Sequence, residues 1–108
     1  MYKIELTECF KEELNLAYDY IEYISDSKTI ADKIISKTFK KIYLIKDKPF
    51  AWSFVKDDYL ASIGYRSVLV DNYLLFYLID EKIKTIFIER FLYAYSDYIN
   101  IIKDDLID

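Results

Sequence analysis

Between residues 65 and 92 three apolar, β-prone runs follow one another with only short polar breaks. No other stretch limits the folds open to this chain so strongly. The runs cover 65–70, 73–79 and 85–92. Asp71-Asn72 separates the first two, and two residues of that type between apolar runs signal a hairpin. Asp80-Glu81-Lys82 opens the second break. The core therefore reads as an antiparallel meander, and everything upstream must pack against it. One glycine and one proline in 108 residues leave little room for long loops. This length predicts one domain, 1–108, that buries about two-thirds of its unfolded surface. With 54% hydrophobic residues the chain as a whole is not disordered.

Upstream, Tyr2-Lys3-Ile4-Glu5-Leu6 alternates as a half-buried strand with Tyr2, Ile4 and Leu6 inward. Thr7 is an N-cap candidate. Phe10, Leu14, Ala17 or Tyr18, Ile21 and Ile24 then recur at three- and four-residue steps, the mark of a helix ending near Ser25-Asp26. Ser27 caps a second helix with Ile30, Ile34, Thr38, Ile42 and Ile45 on its inner face and Lys33, Lys37, Lys40 and Lys41 outward. So short a joint predicts an antiparallel helical hairpin. Pro49 ends the second helix by disfavouring helical backbone at Lys48. Residues 50–64 are the least regular part, a connection with a short helical turn over 58–62. Ser96 caps a short C-terminal helix over 97–102, and the charged tail 103–108 is expected to fray. The order predicts an α+β two-layer domain, β-α-α-β-β-β, with a mainly antiparallel sheet and the hairpin on one face.

The chain has no histidine and a single cysteine, Cys9. Ser-His-Asp and Cys-His catalysis, histidine metal sites and the usual general acid/base near pH 7 are thereby excluded. No disulfide framework or cysteine-based zinc knuckle can form. The pair Asp57-Asp58 lacks a third ligand, so no metal and no cofactor is expected. No apolar run approaches the ~20 residues of a membrane span, and the N-terminus lacks a signal-peptide pattern, so a soluble, cytoplasmic protein is expected. The net charge of −4 is a poor match for nucleic acid, although local basic patches can override the sum.

Several segments resemble the RelE/ParE superfamily, the toxins of bacterial type II toxin–antitoxin modules. Tyr65-Arg66-Ser67-Val68-Leu69-Val70 is similar to a family pattern Y-R-x-x-V. Asn72-Tyr73-Leu74-Leu75-Phe76-Tyr77, followed by Leu78-Ile79-Asp80, is similar to N-Y-x-x-F-Y and its aliphatic-Asp run. Ile86-Phe87-Ile88-Glu89-Arg90-Phe91-Leu92-Tyr93 resembles the last family strand, and Asp97-Tyr98 fits the Asp-Tyr that follows. The ordered set covers nearly the whole chain. It implies a growth-inhibiting toxin, of the kind linked to plasmid stabilization, whose partner is a cognate antitoxin. Its target would be the ribosome and mRNA, which it cleaves as an endoribonuclease, or DNA gyrase, which it inhibits without being an enzyme. The alternative is a catalytically silent member acting only as a protein-binding module.

The chain departs from the family where cleavage chemistry resides. Two arginines precede the closing Asp in many members; here the segment is Tyr93-Ala94-Tyr95-Ser96-Asp97. Leu74 stands where a strand arginine often sits, and Tyr93 where some relatives carry histidine. Cleavage needs a base for the 2′-OH, cations for the crowded phosphate and an acid for the leaving oxygen. The candidates left are Arg66, Arg90, Tyr93 and Tyr95. Either arginine could hold a phosphate bidentately, or could pair with a carboxylate and tie the sheet to a helix or to the terminal segment. The tyrosines could stack on a base or carry a proton, or could simply pack. Glu89, beside Arg90 on one strand, is expected on the opposite face. Phe50, Trp52 and Phe54 are candidates for an apolar groove that receives the antitoxin.

Overall fold

A computed structural model describes residues 1–107. β1 (Lys3–Leu6) leads into α1 (Glu8–Ser25), α2 (Lys28–Asp47) and α3 (Asp58–Ile63). The meander follows as β2 (Arg66–Val70), β3 (Tyr73–Asp80) and β4 (Thr85–Tyr93), and α4 (Tyr98–Ile107) closes the described chain. The sheet order is β1-β4-β3-β2; β1 lies parallel to β4 and the other pairs are antiparallel.

Local chemistry sets the boundaries. The Thr7 hydroxyl accepts from Phe10 N–H and the Ser27 hydroxyl from Ile30 N–H, so both long helices begin on side-chain caps. Asp26, at φ 52°, stops α1 in the left-handed region, and two residues suffice to reverse the chain. Asp57 caps α3 through Leu60 N–H, which explains that carboxylate without a metal. Gly64 ends α3 at φ 111°, where any side chain is strained.

The hairpin covers one sheet face. Phe10, Leu14, Ala17, Ile34, Ile42 and Ile45 pack there on Val68, Val70, Leu75, Tyr77, Ile86, Ile88 and Phe91. Thr38 sits among them because its hydroxyl donates to Ile34 O, 2.6 Å away. The opposite face is also covered: Leu60 of α3 and Ile102 of α4 join Val55, Tyr65 and Phe76 in a second cluster. The C-terminal helix is longer than the expected 97–102 because the tail is tied down. Lys103 Nζ lies 3.0 Å from Asp57 and Asp105 pairs with Arg90. Of the tail, only Asp108 lies outside the described residues.

Strand β4 outruns its partner β1, whose pairing stops at Leu6↔Ile88. The freed edge is sealed by side chains and the start of α1. Thr7 N–H donates to Ile88 O, the Thr7 hydroxyl donates to Glu89 O, and Glu13 Oε1 accepts from Phe91 N–H at 2.9 Å. An open strand edge invites unwanted pairing, and this one is closed by the same helix that packs on the sheet.

Candidate functional site

The two arginines are spent very differently. Arg90 lies in a buried ionic cluster. Its Nε and Nη2 donate to Glu13 Oε1 and Oε2 at 3.0 and 2.8 Å, a bidentate pair, and Nη1 donates to Asp105 Oδ2 at 2.8 Å. The side chains of Arg90 and Glu13 are 8% and 14% exposed, whereas that of Asp105 is 62% exposed. The paired Glu13 carboxylate raises the guanidinium pKa further above its usual value. One arginine against two carboxylates gives the cluster a formal charge of −1.

A register shift between Phe76 and Tyr77 leaves Glu89 as an extra residue on β4. Uninterrupted alternation puts Ile88 on Arg90's face and Glu89 on the other. The bulge reverses this: Ile88 joins the hairpin-side core, while Glu89 reaches the Tyr65 hydroxyl on the other side, 3.4 Å away. Burial pushes the Glu89 carboxyl up, partly offset by Tyr65 and Arg90. Burial and the Glu89 charge push Tyr65 up to about 12.

Arg66 pairs with Tyr77 near the start of β2. Its guanidinium carbon stands 4.0 Å from the Phe54 ring centroid and 5.4 Å from that of Phe50, and Nη1 donates to Trp52 O. An Arg held this way is engaged by cation–π contacts and a carbonyl without a carboxylate partner. Phe50 and Phe54 are half exposed, and Trp52 packs on the core. The segment that reads as a groove in sequence therefore forms an aromatic cradle for Arg66 and pairs with the β2 edge through Phe54↔Arg66.

Tyr93 ends β4, and Tyr95 lies in the turn that follows. Their rings are 5.4 Å apart, Tyr73 stands 5.7 Å from Tyr93, and Tyr73 stacks on Phe91 at 5.0 Å. Beside them opens a groove of about 550 Å³ lined by Tyr20, Ile21, Ile24, Ile34, Asp71, Asn72, Tyr73 and Tyr93. Leu16, Ala17 and Leu92 line a shallower extension next to Tyr73 and Tyr93. Burial pushes the Tyr73 phenol up.

Of the four candidates, Tyr93 and Tyr95 stand together, but Arg66 and Arg90 do not converge on them or on each other. Arg66 aligns with Tyr77 and Tyr93 with Tyr73, four residues along β3 and two strands across. At ~3.3 Å per residue and ~4.8 Å per strand the separation is about 16 Å. Arg90 lies three residues before Tyr93, on the opposite sheet face. Sequence reasoning missed Glu13 and Asp105, and it missed the contribution of Tyr20 and Tyr73 to the groove. Glu13 carried a signal: it adjoins the inward positions Phe10, Leu14 and Ala17, where an unpaired carboxylate is costly.

A meander with a helical hairpin on one face and a closing C-terminal helix defines a RelE/ParE-like α+β toxin fold. A chromosomal ParDE toxin–antitoxin system of P. aeruginosa contains a similar chain, with a TM-score of 0.70 and 14% identity over 87% of this chain and 97% of that one. The RelBE2 toxin–antitoxin complex of Mycobacterium tuberculosis contains another, at TM-score 0.57 and 19% identity over 85% and 96%. At such identities the likeness speaks for the fold. No curated protein matches the chain by sequence. The family model of the ParE toxin of the type II toxin–antitoxin system parDE matches residues 4–98, and the chain belongs to that family. Among the described residues, no helix is long and apolar enough to cross a membrane.

Proposed function

We propose that this ParE-family chain arrests growth by binding its target rather than by cutting RNA, and that the target is DNA gyrase. The observation that carries this reading is the Arg90 cluster. The arginine nearest the end of β4 is bound by two carboxylates into a group of net charge −1. A phosphate approaching it would meet repulsion. Arg66 is about 16 Å from Tyr93 by strand geometry, and its guanidinium lies over the Phe54 and Phe50 rings. Neither arginine therefore stands beside Tyr93 and Tyr95 to stabilise a crowded phosphate.

The neutralising partner is a cognate antitoxin whose apolar segment folds into the groove beside Tyr20, Tyr73 and Tyr93. Exposed aromatic rings next to a concave apolar surface are what such segments bind. Tyr93 and Tyr95 then act as binding anchors, and Arg66 and Arg90 as supports for the sheet and its flanking elements.

Induced expression with pulse-labelling of DNA, RNA and protein synthesis tests this. Growth arrest with DNA synthesis failing first, and translation still intact, is expected. Translation failing first would overturn the reading in favour of ribosome-directed mRNA cleavage. No arrest from folded protein would leave a silent binding module.

A further inference from the structure

The outer face of the helical hairpin carries charges of opposite sign on its two helices. Leaving aside Glu13, which is turned inward to Arg90, α1 holds Glu8, Glu12, Asp19 and Glu22 against Lys11, a formal charge of −3. Over its 20 residues α2 holds six lysines against Asp32 and Asp47, a formal charge of +4. The helices are neighbours, yet among the described residues no ion pair joins them. Their one polar cross-link is the hydrogen bond from the Tyr18 hydroxyl to Asp32. Glu12, Asp19, Lys33 and Lys40 are exposed, as are Leu16, Tyr23, Phe39 and Tyr43.

We propose that this face is the interface of a homodimer, with a second copy of the chain as its occupant. Two-fold symmetry allows two ways of laying one hairpin on another. An axis across the helices sets α1 on α1 and α2 on α2, with like charges opposed. An axis along the helices sets α1 of each copy on α2 of its partner, twice, in a self-complementary contact. Only the second arrangement satisfies the charges.

The register then follows from the hairpin itself. Tyr18 reaches Asp32, and the turn lies at Asp26-Ser27. Residues at the same height on the two helices therefore have numbers that sum to about fifty-two, since an antiparallel pair rises ~1.5 Å per residue in opposite directions. At that sum Glu12 faces Lys40, and Asp19 faces Lys33. Glu8 with Lys46, and Glu22 with Lys28, fall within one turn of the same height. Four acidic positions of α1 thus meet basic positions of α2 across the interface without sliding the helices.

Phe39 and Asp32 share the flank of α2 that faces α1, so Phe39 is near the axis and able to meet its own copy. Two helices about 30 Å long and ~10 Å in diameter offer roughly 500–600 Å² per copy. The total of about 1,000–1,200 Å² meets the lower end of what a specific dimer buries. This proposal does not rest on the target and antitoxin readings: of the residues named on this face, Leu16 alone also borders the groove, at its shallow extension.

Sedimentation velocity over a concentration series is the test. The wild-type chain is expected to pass from 13.0 kDa monomer toward twice that mass, and to dissociate at high salt. Glu12→Lys and Lys40→Glu should each weaken the dimer about tenfold or more, since each reverses two symmetry-related pairs. The double variant should recover it, and an equimolar mixture of the two single variants should form a mixed dimer. Circular dichroism checks that these surface changes leave the fold intact. A wild-type chain that stays monomeric at every concentration would overturn the proposal. So would a dimer indifferent to charge reversal, or single variants that do not rescue each other.

Discussion

Replacing Glu13 with Ala should be among the most destabilising single changes in this chain, although Glu13 is only a helix carboxylate. The substitution leaves Arg90 buried and charged with one exposed partner, Asp105, and it strands the Phe91 N–H on an edge that β1 does not reach. Breaking a buried pair costs about 3–5 kcal/mol, and an unsatisfied buried donor adds about 1–3 kcal/mol where it cannot reach water. A domain of this size holds about 5–16 kcal/mol in all, so a quarter or more of its stability is at stake. Asp105→Ala removes a partner that is 62% exposed, and solvent screening limits that loss to about 0–1 kcal/mol. Glu13→Gln should fall between, because an amide oxygen still accepts from Phe91 N–H. Urea unfolding followed by circular dichroism reads all three. With a slope of about 1–3 kcal/mol per molar, the Glu13→Ala midpoint should drop by at least about 1 M, while that of Asp105→Ala hardly moves. Equal losses for the two, or a Glu13→Ala loss below about 1 kcal/mol, would refute the view that Glu13 is the principal counter-ion and edge seal.

Other consequences are independent of that network. Tyr65 and Tyr77 both have phenol pKa values pushed up to about 12, chiefly by burial. The stability they contribute is complete below pH 10 and disappears as the pH rises through 12. Two units amount to about 2–3 kcal/mol per tyrosine at most, so urea midpoints should fall steeply over that window, and a flat profile would contradict their burial. Gly64→Ala should cost about 1–3 kcal/mol through backbone strain at φ 111°, since the added Cβ meets only Leu78 Cδ2 at 3.7 Å; an unchanged midpoint would mean the turn relaxes. Tyr93→Ala should weaken binding of the antitoxin by about tenfold or more in calorimetry, with Tyr43→Ala as an unaffected control; equal effects would move the antitoxin site off the groove.

The parts of the fold that were legible in sequence are those where one local rule acts without rival. Thr7, Ser27, Asp26 and Pro49 bracket two helices whose apolar spacing is regular, and Asp71-Asn72 marks the first strand reversal. The parallel pairing of β1 with β4 was not legible, because nothing in four alternating residues says which distant strand they join. The bulge at Glu89 was hidden as well. It follows from fitting Arg90 to the ionic cluster on one face while Ile88 and Phe91 fill the core on the other. The end of α4 was misjudged because a charged tail looks solvated until Asp57 and Arg90 are seen to receive it. At the candidate site, sequence identified the arginines and tyrosines but not their separation. That depends on strand register and on the face each strand turns to the hairpin, which are tertiary properties.

The claim that this toxin acts by binding is tested most directly by giving one preparation two substrates. The purified chain is added to DNA gyrase with relaxed plasmid, and in parallel to ribosomes carrying a defined mRNA. Loss of supercoiling without antitoxin, its recovery when antitoxin is added, and mRNA intact in both cases are what the account predicts. Cleaved mRNA with normal supercoiling would contradict it.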